Sequence, residues 1–168
     1  ISLAGSDNQS DTMDNSQSYT PRKKVLFLCT GNSCRSQMAE AVTNNFLKKT
    51  WSAVSAGTDP AENIHPLAVR VLQEIGISHQ GEPKSPDAFL DDDFDLIVTV
   101  CDHARESCPL WFGKGKIVHA GFPDPARSEG TEEEVITAFR NIRDGIMDRI
   151  PSLLKQYQEL EENGEYRN

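Results

Sequence analysis

Short apolar runs alternate along the chain with stretches in which apolar residues recur every three or four positions. The apolar runs are typical of parallel strands that are buried on both faces. We predict strands over residues 25–28, 51–56, 94–100 and 116–119. The stretches between them predict amphipathic helices over residues 36–49, over residues 65–75 and from Thr131 onward. A capping box at Thr131 marks the start of the last helix, and Pro151 is expected to break or kink it.

This alternation of strands and helices predicts an α/β fold with a parallel sheet. In such sheets ligands bind beyond the carboxyl ends of the strands. The first predicted strand runs into Cys29, and the third ends at Cys101. We therefore expect both cysteines on one rim of the sheet, at the place where a ligand would bind.

Length, charge and composition narrow the class of protein. The 168 residues suggest one folded domain, which we place at residues 23–160, between a disordered tail at residues 1–22 and a flexible C-terminus at residues 161–168. The net charge of −9 argues against nucleic-acid and membrane partners. Because we find neither a transmembrane run of about 18 apolar residues nor a signal peptide, we expect a cytoplasmic protein.

The first chemical motif is a Cys-x5-Arg segment, Cys29 to Arg35, between a buried strand and a helix. Such a turn points successive backbone N–H groups and the helix N-terminus at one spot, which favours a bound anion and a cysteine thiolate. Arg35 offers a planar fork for two oxygens of a tetrahedral oxyanion, and Cys29 is the expected nucleophile. The alternative is a tight turn around a buried cysteine. The expected oxyanion-binding residues are Thr30, Gly31, Asn32, Ser33, Cys34, Arg35 and Ser36.

The second motif is Asp124, which has a proline on each side. Two prolines stiffen a loop, so the carboxyl group would be held in place. An oxygen that leaves a tetrahedral oxyanion needs a proton, and a loop carboxyl group can deliver it. Taken alone, Asp124 is more consistent with an ordinary Asp-Pro turn than with a catalytic role. Beside a Cys-x5-Arg loop, we interpret it as a general acid.

The third motif is the pair Cys101 and Cys108, which six residues separate. A phosphatase needs one nucleophilic thiol, whereas a reductase needs a second and third thiol to take up the oxidation of its nucleophile as a disulfide. The alternatives are two unrelated cysteines or a zinc site with His103 and His119, although the spacing lacks the usual paired zinc pattern. The remaining Cys34 is interpreted as a small apolar filler. No role is assigned to His65, His79 and His119, which we expect in turns or at the surface.

Together these segments resemble the thioredoxin-coupled arsenate reductases of the low-molecular-weight protein tyrosine phosphatase superfamily. The resemblance covers residues 24 to about 150. It implies a three-layer α/β/α fold with a central four-stranded parallel sheet and flavodoxin-like winding. The segments that carry it are residues 29–40, Cys101-Asp102, Cys108-Pro109, residues 124–126 and residues 130–134.

The resemblance also implies a mechanism. Arsenate, with phosphate and sulfate as analogues, binds in the loop, Cys29 attacks arsenic, and Asp124 protonates the departing oxygen. Cys101 then attacks Cys29 and releases arsenite, and Cys108 attacks Cys101. Thioredoxin finally reduces the disulfide between Cys101 and Cys108, which requires a mobile segment there. The resemblance implies no cofactor and no resident metal.

Two other functions stay open, and one feature departs from the family. The first alternative is a low-molecular-weight phosphotyrosine phosphatase, although such enzymes carry aromatic residues where this chain has Ala126-Arg127, and they lack the pair at 101 and 108. The second is a non-enzymatic anion- or metal-binding regulator. Some family members bind potassium through residues that match Asn32, Glu40 and Ser55 and through an Asp, which is Pro86 here, and this argues against potassium binding.

Overall fold

A four-stranded parallel sheet organises the described part of the chain. The computed structural model describes residues 21–102, 110–111 and 113–164. The strands are β1 (Lys23–Cys29), β2 (Trp51–Gly57), β3 (Leu96–Thr99) and β4 (Lys116–His119). Their order across the sheet is β2-β1-β3-β4, and every neighbouring pair is parallel. This order is that of flavodoxin-like winding, so the predicted fold class is confirmed.

Both faces of the sheet are covered, which explains why the strands are apolar at successive positions. On one face, Val25, Phe27 and Val98 form a core with the helices α1 (Arg35–Phe46), α2 (Pro66–Gln73) and α3 (Glu132–Glu162). On the other face, Leu26, Leu28 and Ile97 form a smaller core. In the described part of the chain, this second core is covered by Phe89 of a 3-10 helix (Pro86–Phe89), Phe94 and Trp111.

The predicted elements all occur, and three of them are shorter than predicted, including the second helix, which spans Pro66–Gln73 and not residues 65–75. The first helix was expected to reach residue 49 but ends at Phe46, because the Leu47 carbonyl accepts from the N–H groups of Thr50 and Trp51 in the turn into β2. The third strand was expected over residues 94–100 but spans Leu96–Thr99, opposite the four residues of β4.

The last helix begins as predicted and continues further than predicted. The Thr131 hydroxyl accepts from the Glu134 N–H, and the Glu134 carboxylate accepts from the Thr131 N–H, which is the expected capping box. The break expected at Pro151 does not occur, because buried Ile150, Leu154 and Tyr157 continue the apolar face past it. None of the helices in the described residues is long and apolar enough to cross a membrane.

Candidate active site

The segment of residues 29–35, here called the Cys29 loop, connects the end of β1 to the start of α1. It forms one wall of a cavity of about 410 Å³ that opens at the carboxyl edge of the sheet. The opposite wall belongs to residues 122–127, here called the Asp124 loop. The residues that line the cavity are Cys29, Thr30, Gly31, Asn32, Ser33, Cys34, Arg35, Thr58, Asp59, Asp124, Ala126 and Arg127.

Cys29 lies at the base of this cavity, with only 2% of its surface exposed. Its Sγ atom is 2.9 Å from Ser36 Oγ. That oxygen accepts a hydrogen bond from Asn32 Nδ2 at 2.7 Å, so the hydroxyl proton of Ser36 is directed at the sulfur. Ser36 therefore lies behind the nucleophile and not on the cavity wall, and its hydroxyl is placed to stabilise a thiolate.

Asn32 gives the Cys29 loop its shape. Asn32 has a φ of 53°, and among the described residues it alone combines a positive φ with a side chain other than that of glycine. Its side chain is fully buried. A left-handed conformation costs about 1–3 kcal/mol away from glycine, so surrounding contacts must hold it. Here Oδ1 accepts from the Lys84 N–H at 3.0 Å and from Gln37 Nε2 at 3.1 Å, while Nδ2 also donates to Ser55 Oγ at 3.0 Å.

Gly57, the last residue of β2, is a further part of the site. A Cβ atom at this position would lie 2.3 Å from the Thr30 carbonyl oxygen and 2.8 Å from the Asn32 nitrogen. Because these are backbone atoms, they cannot move aside without distorting the Cys29 loop. Glycine is required here so that the end of β2 can pack directly against the loop.

Arg35 joins the two walls of the cavity. Its guanidinium group is 4% exposed, donates from Nη1 to the Phe122 carbonyl at 3.2 Å, and places Nη2 3.7 Å from Asp124 Oδ2. The Arg35 guanidinium group, which the sequence predicts to bind the oxyanion, is thus held between the Cys29 loop and the Asp124 loop. Arg35 and Asp124 both line the cavity, as the sequence motifs predict.

Asp124 uses its two carboxylate oxygens differently. Oδ1 accepts from the Ala126 N–H at 3.0 Å and caps a short 3-10 helix (Pro125–Arg127), which is the turn role considered from sequence. Oδ2 lies beside Arg35 and 3.9 Å from Arg127 Nε. The turn fixes the carboxyl group while one oxygen stays at the cavity, so the turn role and a general-acid role are compatible.

The remaining cysteines differ in state and place. Cys34 is buried, and burial raises the pKa of its thiol to about 12, so it is an uncharged apolar filler at neutral pH. Cys101 lies two residues beyond the end of β3, on the same rim of the sheet as Cys29 at the end of β1. It is buried and disulfide-bonded, whereas Cys29 and Cys34 are free thiols. Cys108 and the segment expected to be mobile lie outside the described residues, as does His103.

Two histidines that were expected in turns or at the surface have defined partners. His65 is the N-cap of α2: its Nδ1 accepts from the Leu67 N–H at 3.1 Å, and its own N–H donates to the Ser33 carbonyl at 3.0 Å. The side chain of His79 is only 8% exposed, and its Nε2 lies 2.7 Å from Gln37 Oε1. The surface expectation for His79 is therefore wrong, because a buried polar network behind the Cys29 loop encloses it.

The residues near Glu40 do not fit the potassium site of some relatives. Glu40 Oε1 accepts from Ser55 Oγ at 2.8 Å and lies 4.0 Å from Lys84 Nζ, so a lysine already supplies positive charge beside this carboxylate. Pro86 offers no carboxylate. In the described part of the chain, no group of three or more His, Cys, Asp or Glu side chains is arranged to hold a metal ion.

The family model of low molecular weight phosphotyrosine protein phosphatases matches residues 24–165. The chain belongs to this family. Within it, the chain is 45% identical over 130 residues to an arsenate reductase of Halalkalibacterium halodurans, covering 77% of this chain and 93% of that relative. The identification made from the motifs is therefore confirmed, and the chain is an enzyme of the same kind as its relatives.

Solved structures agree with this placement. The arsenate reductase from Archaeoglobus fulgidus superposes with a TM-score of 0.67 at 34% identity, covering 78% of this chain and 98% of that one. The thioredoxin-dependent arsenate reductase of Corynebacterium glutamicum gives a TM-score of 0.59 at 28% identity, over 86% of this chain and 66% of that one. The sheet order and the Cys29 loop thus belong to a fold that arsenate reductases share.

Proposed function

We propose that this enzyme reduces arsenate to arsenite through a relay of Cys29, Cys101 and Cys108 that thioredoxin regenerates. The observation that carries the proposal is the position of Cys101 two residues beyond the end of β3. This strand lies next to β1, whose last residue is Cys29. A second buried cysteine at the rim beside a nucleophilic cysteine has no use in phosphate-ester hydrolysis, and it suits a disulfide relay.

Arsenate binding is assigned to the Cys29 loop, with the Arg35 fork on two of the oxygens. The Cys29 thiolate attacks arsenic and forms an As–S bond, and one oxygen leaves as water. Asp124 donates the proton for this step, which its place on the opposite cavity wall supports.

The reduction occurs in the next step. The Cys101 thiolate attacks Cys29 Sγ, the As–S bond breaks, and its electron pair stays on arsenic, which leaves as arsenite in the trivalent state. One disulfide, Cys29–Cys101, takes up the two-electron oxidation. Cys108 then attacks Cys101 and frees Cys29, and the dithiol of thioredoxin reduces the resulting Cys101–Cys108 disulfide.

Two observations support this order of events. Cys101 is disulfide-bonded while Cys29 is a free thiol, which is the distribution expected before thioredoxin acts. The thioredoxin-dependent relative from Corynebacterium glutamicum supports the identity of the reductant. We therefore also propose a cytoplasmic location, because thioredoxin keeps thiols reduced there.

The test is a comparison of Cys108→Ser, Cys101→Ser and Cys29→Ser in an assay of arsenite formed with thioredoxin, thioredoxin reductase and NADPH. Cys108→Ser should release one arsenite per enzyme and stop as a Cys29–Cys101 disulfide, which peptide mapping would identify. Cys101→Ser should not sustain turnover, and Cys29→Ser should lose both arsenate reduction and hydrolysis of p-nitrophenyl phosphate.

The phosphatase alternative predicts a different pattern. A hydrolase needs neither Cys101 nor Cys108, so both serine variants would keep the full hydrolytic rate of the parent and no arsenite would form in any of them. Normal multiple turnover of arsenate in Cys101→Ser or Cys108→Ser would show that the relay is wrong.

A further inference from the structure

Arg127 is a charged residue of the cavity that the proposed relay does not use. It is the last residue of the 3-10 helix in the Asp124 loop, and it lines the cavity opposite the Cys29 loop. Its side chain is 60% exposed, so it reaches the cavity from the solvent side.

The backbone of Arg127 is fixed, whereas its guanidinium group is free to turn toward a ligand. The Arg127 N–H donates to the Asp124 carbonyl at 3.2 Å, and the next turn is closed by the Ser128 N–H on the Pro125 carbonyl at 3.1 Å. Within the described residues, the guanidinium group makes no hydrogen bond and has one loose ion pair, with Nε 3.9 Å from Asp124 Oδ2. A rigid base with a loosely held charged end suits a residue that changes partner when a ligand binds.

The ion pair with Asp124 positions the guanidinium group of Arg127 at the mouth of the cavity. Oδ2 of Asp124 has Arg35 Nη2 at 3.7 Å on the inner side and Arg127 Nε at 3.9 Å on the outer side. An oxyanion in the Cys29 loop turns one oxygen outward, toward the carboxyl group that the proposed mechanism uses as its acid. Arg127 therefore stands beside the outward oxygen, whereas Arg35 holds oxygens inside the loop.

We propose that Arg127 determines specificity by binding the outward oxygen of a free tetrahedral oxyanion, so that the site prefers inorganic oxyanions to their organic esters. In a free dianion that oxygen carries charge, and a guanidinium group forms a charge-assisted hydrogen bond with it. In a phosphate ester the same oxygen carries an organic group. The neighbouring Ala126 offers only a methyl group, and none of the described residues that line the cavity is aromatic.

This inference deepens the proposed function and rests on it for the physiological substrate, but its binding test is independent of reduction. Arg127→Ala should weaken inorganic phosphate binding to the reduced full-length protein, measured by calorimetry, by about 10- to 100-fold, the worth of one charged hydrogen bond. The KM for arsenate should rise by the same factor while kcat stays within about threefold, since a binding contact is lost. Arg127→Lys should recover part of the affinity, because it restores the charge without the fork.

Two further measurements separate specificity from charge in general. The kcat/KM for p-nitrophenyl phosphate should stay the same or rise in Arg127→Ala. The control is Lys155→Ala, which removes one exposed positive charge from the last part of α3. Nearby on this helix, the Tyr157 hydroxyl donates to the carbonyl of Asp95, which precedes β3, so the control site lies at the edge of the sheet opposite the cavity. It should bind phosphate as the parent does.

Three results would overturn the inference: unchanged phosphate affinity in Arg127→Ala, an equal loss for arsenate and for the aryl ester, or the same loss in Lys155→Ala. If the parent protein forms no arsenite but Arg127→Ala still loses phosphate affinity selectively, the specificity role stands and the proposed reductase function fails. If arsenite forms and phosphate affinity is unchanged in the variant, the reductase function stands and the role of Arg127 is refuted.

Discussion

The two walls of the cavity are held by different kinds of contact. In the Cys29 loop, Asn32 is fully buried and bonds to Ser55 on β2 and to the backbone of Lys84, both far from it in sequence. In the Asp124 loop, the contacts are local: Asp124 bonds to the N–H two residues on, and its side chain is 24% exposed. Arg35 makes the polar connection between them.

The Cys29 loop is therefore the rigid wall of the site, and the Asp124 loop is the adaptable wall. The oxyanion must meet donors that are already in place, because preorganised dipoles do not have to reorient during the reaction. The acid must follow an oxygen that moves away as its bond breaks, and a wall held by local turns permits that adjustment. Substitutions in the first wall should therefore affect stability and catalysis together, whereas substitutions in the second should affect substrate binding or catalysis without a loss of stability.

Of the substitutions that test this comparison, Asp124→Asn in the adaptable wall is expected to have the largest effect on turnover. Asp124→Asn keeps an oxygen that accepts from the Ala126 N–H, so the turn survives, but the amide has no acidic proton to transfer to the leaving oxygen. We expect kcat for arsenate to fall by about 10²–10⁴-fold, the usual contribution of a general acid. The thermal midpoint and phosphate affinity should remain close to those of the parent.

Asp91→Asn, which removes a carboxylate from an exposed loop, is the matched control and should keep the parental kcat. A kcat near the parental value in Asp124→Asn would leave Asp124 as a turn residue only. A large drop in the thermal midpoint would show that the Asp124 side chain also stabilises the fold, contrary to the expectation for this wall.

The rigid wall is tested by Gly57→Ala. The added Cβ would meet the Thr30 carbonyl at 2.3 Å, so either the end of β2 or the Cys29 loop must shift. We expect the free energy of unfolding to fall by about 1–3 kcal/mol, as for other overpacked sites. We also expect a loss of turnover of about 100-fold, which a misplacement of about 1 Å can cause.

Gly145→Ala in α3 is the control, because its Cβ would lie 3.5 Å from the nearest atom of Phe122, an ordinary contact. It should be as stable as the parent or more stable, since alanine is the better helix former. If Gly57→Ala were as stable and active as Gly145→Ala, the Cys29 loop would be more compliant than its contacts indicate.

The contrast between the walls also explains what the sequence could predict. Cys29 and Arg35 form a local motif at a strand–helix junction, so their roles are readable from neighbouring residues alone. The need for glycine at position 57 comes from a contact with Thr30, and the burial of His79 comes from Gln37, and neither contact leaves a local pattern. The helix continues through Pro151 because of tertiary packing, which outweighs a single unfavourable residue.

The smallest expected effect concerns His65, which lies where the two walls meet. Its N–H bonds to Ser33 in the Cys29 loop, while the negative charge of Asp124 acts on its ring from the other wall. Burial lowers the pKa of His65 below its usual 6.5, and Asp124 partly opposes this shift. Capping of α2 also requires Nδ1 to be unprotonated, because it accepts from the Leu67 N–H.

The sign of the pH effect follows from this lowered pKa. Below pH 6.5 the unfolded chain takes up a proton at His65 more readily than the folded protein does, so His65 makes the fold less stable as the pH falls. Asparagine caps helices without titrating, so His65→Asn should lose less free energy of unfolding than the parent between about pH 7.5 and pH 5. Urea titrations across this range measure the difference. His79, whose pKa burial also lowers, is present in both proteins and cancels in the comparison. Parallel pH curves for the two proteins would mean that the His65 ring does not carry the cap of α2.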